Sequence, residues 1–101
     1  MKNLSDLMAK AHEAQERIKK MQEKIDRVEV EGESGGGMVK IVLTCKGDAK
    51  KVMLDESLLN ASEKVVLEDL LVAAFNDAKS KAADFYVKEL DSVKESLKLS
   101  F

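Results

Sequence analysis

Two apolar lines run through the first 28 residues. Leu4, Ala11, Ile18 and Ile25 are spaced by seven, as are Leu7, Ala14, Met21 and Val28. These are heptad a and d positions, and they predict a helix over residues 3–27. Asn3 is the expected N-cap, with Asp6 three residues on as its capping-box partner. The period then changes from about 3.6 to 2. Val28 and Val30 alternate with Glu29 and Glu31, and Val39, Ile41, Leu43 and Cys45 alternate with Lys40, Thr44 and Lys46. Gly35-Gly36 is the expected two-residue turn between them, because glycine reaches positive φ without steric cost. Gly47-Asp48 marks a second turn, and Val52 and Leu54 a short third strand ending at Asp55. Met38, Val42 and Met53 make the other sheet face partly apolar as well, so both faces ask for cover.

Helical spacing resumes over residues 60–97. Leu67, Leu70, Leu71, Ala74, Ala78, Ala82, Phe85, Tyr86, Leu90, Val93 and Leu97 form the stripe, and Asn60 with Glu63 offers a second capping box. The expectation is an α+β domain over residues 1–101: helix 3–27, a three-stranded antiparallel sheet over 28–55, helix 60–97. At ~1.5 Å per residue the helices would be about 36 Å and roughly 55 Å long. A compact domain of this size is only about 26 Å across by twice its radius of gyration. The surplus apolar surface predicts a partner, and self-association is the simplest one.

Composition narrows the function. The chain has 101 residues, no proline or tryptophan, and no apolar run of membrane-spanning length. Its N-terminus lacks the apolar core of a signal peptide, and a single cysteine fits a reducing cytoplasm. One histidine and one cysteine supply no zinc set and no nucleophilic triad. His12 falls at an outward heptad position and reads as a solvated surface residue. Cys45, at the end of an apolar strand, reads as a small buried hydrophobe. Gly35-Gly36-Gly37 precedes a strand, with no Gly-Lys-Ser/Thr after it, so it is not a phosphate loop. Glu68-Asp69 point apart on a helix and make no acid–base dyad. No catalytic residue, metal site, cofactor or small-molecule substrate is expected.

Charge carries the one positive signal. The net charge of −2 argues against binding nucleic acid by bulk charge. Yet the first helix carries Lys10, Glu13, Arg17, Lys20, Lys24 and Arg27 on one face. Such a line suits phosphate tracking. It also suits an ordinary solvated face, since Glu13/Arg17, Glu16/Lys20 and Glu23/Arg27 are favourable i,i+4 pairs. The pattern leaves both readings open.

A resemblance covers residues from about Leu4 to about Val93. The helix segment Met21-Gln22-Glu23-Lys24 leads into Val30-Glu31-Gly32-Glu33-Ser34-Gly35-Gly36-Gly37-Met38-Val39-Lys40. Val52-Met53-Leu54-Asp55-Glu56-Ser57-Leu58-Leu59 and Glu68-Asp69-Leu70-Leu71-Val72-Ala73-Ala74-Phe75-Asn76-Asp77-Ala78 follow. In this order the segments resemble the YbaB/EbfC family of bacterial nucleoid-associated proteins. The resemblance implies an α-β-β-β-α protomer, a tweezer-like homodimer and binding of double-stranded DNA in the cytoplasm, at the nucleoid, with a bearing on nucleoid organisation or gene expression. It implies DNA contacts from the outer helices, here Lys10, Arg17, Lys20, Lys24 and Arg27 on the first helix, with the last helix as a second candidate surface. The alternative is a dimeric helical protein-interaction scaffold with incidental DNA binding. Two departures stand out. Glu56 replaces a usual proline, which implies a local change of turn. Ser96-Leu97-Lys98-Leu99-Ser100-Phe101 replaces a Gly/Pro-rich tail, which implies weaker DNA binding if that tail contributes in other members.

Overall fold

The computed structural model describes residues 3–97; of the departing terminal segment, residues 98–101 lie outside the described residues. The elements run α1 (Leu4–Arg27), β1 (Glu29–Ser34), β2 (Val39–Thr44), β3 (Ala49–Leu54) and α2 (Lys64–Leu97). This is the expected α-β-β-β-α order.

α1 begins as its sequence suggests. The Asn3 Oδ1 accepts a hydrogen bond from the Asp6 N–H at 2.9 Å, filling one of the free donors of the first turn. Asp6 in that turn, and Lys24 and Arg27 in the last, complement the helix dipole. Val28 ends the helix in extended conformation, and the chain passes directly into β1.

The strands pair antiparallel in the order β1-β2-β3. The β1–β2 link is longer than the two-residue turn suggested by Gly35-Gly36. Ser34 and Val39 form the last rung, which leaves residues 35–38 as the link, with a 3-10 turn over Gly35–Gly37. Two anchors impose this register: Val39 is fully buried, and the Ser34 hydroxyl donates to the Leu70 carbonyl at 2.6 Å. Gly35 and Gly36 do sit at positive φ, +60° and +66°. β3 is also longer than its apolar residues indicate: Lys51 pairs with Val42 and Ala49 with Leu43, and Lys50 between them has no partner in the register. A bulge at Val42/Leu43 absorbs the extra residue.

α2 lies across β1 and β2. The core joins Val39, Ile41 and Leu43 of β2 to Leu58 and to Ala74 and Ala78 of α2. Small residues at every fourth position let the helix approach closely, and Gly32 opposite them is buried. α2 also caps the outer edge of β1. The Glu33 N–H donates to Asp77 Oδ2 at 3.0 Å, and Lys81 Nζ donates to the Glu31 carbonyl at 2.8 Å. Edge groups that would invite another strand are thereby satisfied.

The opposite edge is open. Val52 and Leu54 stand in register with Ile41 and Val39, on the face α2 covers, yet they remain 49% and 38% exposed. The other sheet face, with Val42 and Met53, is half-exposed, so the cover expected there is incomplete within the single chain.

The second helix starts later than Asn60 implies. Its Oδ1 accepts from the Ser62 hydroxyl and its Nδ2 donates to the Ser57 carbonyl, so no capping bond forms. A 3-10 turn over Ala61–Glu63 intervenes, and the α-helix begins at Lys64. At the position of the missing proline, Asp55 caps a 3-10 turn over Glu56–Leu58 by accepting from the Ser57 N–H and hydroxyl. Those two bonds hold the Asp55 carboxyl below its ordinary range.

The chain measures 72 × 20 × 15 Å, with a radius of gyration of 19.9 Å. A compact chain of this length has roughly 13 Å. The helices do overshoot the sheet, as their lengths predict.

Candidate nucleic-acid interface

Only the last turns of α1 are packed. Met21 and Ile25 are each 5% exposed, whereas Leu4, Leu7 and Met8 are 56–71% exposed. The buried turns lie alongside α2, where Lys24 Nζ meets Glu89 Oε1 at 3.0 Å and stands 5.5 Å from the Phe85 ring centroid. Burial of Met21 and Ile25 packs α1 against the far half of α2, with the ion pair and the ring contact beside them.

All five candidate cations are exposed, and they differ in what they touch. Lys10 and Lys20 form no ion pair among the described residues. Arg17 reaches Glu13 at 3.4 Å, the one expected i,i+4 pair on this face that closes as an ion pair. Arg27 turns instead to the backbone and donates from Nε to the Glu23 carbonyl at 3.2 Å, which leaves its charge unneutralised. Lys24 is committed to Glu89. The line is therefore graded: two free lysines, two arginines in weak local contacts, and one lysine neutralised across the helix pair.

Glu89, Phe85, Ser92 and Ser96 also belong to this surface, and sequence reasoning did not mark them as site residues. Phe85 showed only as part of an apolar stripe. Nothing local in the sequence signals that Glu89 lies opposite Lys24, 65 positions earlier. On the rest of α2, Lys79 stands 5.9 Å from the Phe75 ring centroid, and Lys81 pairs with Asp77 at 3.1 Å. Lys81 is thus held at the sheet edge rather than offered to a ligand.

The remaining polar groups form no reaction centre. His12 is exposed and Cys45 half-buried, and burial raises the Cys45 thiol, which disfavours its thiolate. Among the described residues, no three His, Cys, Asp or Glu side chains come together to hold a metal ion. No helix among them is long and apolar enough to cross a membrane.

A family model for the YbaB/EbfC DNA-binding family matches residues 1–97. The chain belongs to this family. The match spans both helices and the sheet, including the basic line on α1. A protein of Methylocella silvestris named "nucleoid-associated protein" is 41% identical over 99 residues, covering 98% of this chain and 92% of that one. A crystal structure of an uncharacterized protein from Helicobacter pylori superposes with a TM-score of 0.67, covering 83% of this chain and 88% of that chain. At 24% identity it supports the fold alone. YbaB/EbfC is a DNA-binding family, not a family of enzymes.

Proposed function

We propose that the protein is a cytoplasmic, nucleoid-associated homodimer that binds double-stranded DNA mainly through backbone phosphates, with a bearing on nucleoid organisation or gene expression. The observation that carries the reading is the basic line on α1. Among the described residues Lys10 and Lys20 form no ion pair, Arg27 bonds only to a backbone carbonyl, and Arg17 is held by Glu13 at 3.4 Å. Family membership supplies DNA as the polyanion. Phosphate contacts position a protein without reading bases. Binding should therefore be largely independent of sequence, with a dissociation constant of roughly 10⁻⁴–10⁻⁶ M at physiological salt.

The test is a salt titration of DNA affinity. Each phosphate that the protein no longer neutralises flattens the log-affinity against log-salt slope by about 0.9. Lys10→Gln with Lys20→Gln breaks no ion pair, so the fold should survive while the slope flattens and affinity falls. Lys24→Glu makes a poorer test, because it would set a second carboxylate against Glu89. A folded double variant with the wild-type slope would remove α1 as the DNA surface.

The scaffold reading keeps one observation of its own: the exposed apolar tip at Leu4, Leu7 and Met8. Affinity for DNA that is weak and insensitive to salt would favour it.

A further inference from the structure

Between α1 and α2 runs a cleft of about 200 Å³. Arg17, Lys20 and Lys24 line one wall, and Glu89, Ser92 and Ser96 the other. We propose that this cleft, rather than the outer face of α1 alone, seats a DNA backbone phosphate, with Ser92 and Ser96 as contacts from α2 and Glu89 as a built-in brake. The inference rests on the DNA-binding reading above and specifies where on the helix pair a phosphodiester is held.

The donor set fits a phosphate. Two cations and two hydroxyls from opposite walls can surround one anionic group, and charge-assisted hydrogen bonds to phosphate are among the strong ones. Ser92 and Ser96 sit four residues apart, so their side chains share one face of α2. The Ser96 hydroxyl donates to the Val93 carbonyl of its own helix at 3.1 Å. Rotation about one side-chain torsion exchanges that bond for a phosphate oxygen. The apolar Met21 and Val93 complete the lining.

Glu89 is the group that does not fit an anion seat. Its side chain is 22% exposed against 47% for Lys24, so the carboxylate is the more deeply held partner. Lys24 neutralises it at 3.0 Å and is thereby withheld from DNA. Arg17 and Lys20 remain to meet the phosphate. The pair keeps the cleft from repelling phosphate, and it also caps the number of cations that DNA can recruit. The acidic member thus sets a moderate affinity that other residues at this position would change.

The experiment measures affinity for a mixed-sequence duplex by fluorescence anisotropy at several salt concentrations. Wild type is compared with Ser92→Ala/Ser96→Ala, Lys20→Gln and Glu89→Gln, each checked for helicity by circular dichroism. Neutral hydroxyls release no counterions. The serine variant should therefore weaken binding by about tenfold at every salt concentration, shifting the line without changing its slope. Lys20→Gln removes one cation from each cleft and should flatten the slope by about 0.9 per cleft engaged, about 1.8 for a dimer that uses both. Glu89→Gln frees Lys24 to neutralise a phosphate, so binding should tighten at low salt and the slope steepen by about 0.9 per cleft engaged. If Lys20→Gln flattens the slope but the folded serine variant binds like wild type, the cleft is not the seat, and DNA binding by α1 stands. A wild-type slope for Glu89→Gln overturns the brake. The serine variant leaves the Lys24–Glu89 pair intact, so it tests the seat even if Glu89→Gln loosens the helices. Wild-type protein that binds no DNA overturns the DNA reading and this inference together.

Discussion

At Gly32 a Cβ would stand 2.3 Å from both the Ala74 carbonyl oxygen and the Ala78 nitrogen. Both are backbone atoms of α2, so no side-chain rotation relieves the clash. The glycine is needed for close approach of strand to helix rather than for an unusual backbone angle. Gly32→Ala is expected to cost about 3 kcal/mol, toward the upper end for overpacked cores, measured by urea unfolding. A change near zero would mean that α2 sits further from β1 in solution. Asp77 gives a second residue-scale prediction. The Glu33 N–H bonded to it, and then Lys81, hold its carboxyl below the ordinary range. A depressed folded pKa contributes stability above the unfolded value of about 3.9 and loses it as pH falls through the folded value. Asp77→Asn should therefore be destabilising near neutrality. The difference from wild type should narrow as melts are taken below about pH 4.

At the scale of elements, α1 is uniform in sequence and graded in structure. Its heptad positions look alike from Leu4 to Val28, but only the last turns meet α2. Ile25→Ala should cost about 2–5 kcal/mol, as buried Ile truncations do. Leu7→Ala should stay within about 0.5 kcal/mol in protein whose α1 tip is uncovered. Thermal melts of the two variants separate the cases directly. A large loss at Leu7 would show that another chain covers the tip.

At the scale of the molecule, the accessible surface is 7338 Å² for 11.2 kDa. A compact monomer of that mass exposes roughly 5,700 Å². The excess reflects the projecting helices and the open flank of the sheet. On that flank Val52 and Leu54 of β3 lie exposed, and Val72, Phe75 and Tyr86 are exposed along α2. A two-fold copy docked there would close the core, and light scattering at micromolar concentration is expected to give a dimer. Val52→Asp with Phe75→Asp should yield helical monomer. Ile41→Asp would not separate folding from assembly, because Ile41 is only 4% exposed within its own protomer. A monomeric wild type would overturn the homodimer.

By itself the sequence determined the element order, the Asn3 cap, the alternation of β2 and the basic line on α1. Each depends on residues within about one helical turn or a few strand positions, where periodicity and capping act. Family kinship was legible for a similar reason, since the marker segments are contiguous. Tertiary structure decided the four-residue link after Ser34 and the full length of β3. Ser34 docks on Leu70 and Ala49 and Lys51 pair with β2, whereas the late start of α2 is local: Ser57 and Ser62 take the Asn60 side chain that would have capped the helix. Tertiary structure also decided which cations are free. Lys24 looks like Lys20 in sequence, and only the packing of α2 against α1 sets Glu89 opposite one and not the other. Contacts between residues so far apart depend on how helices and sheet dock, which no local pattern encodes.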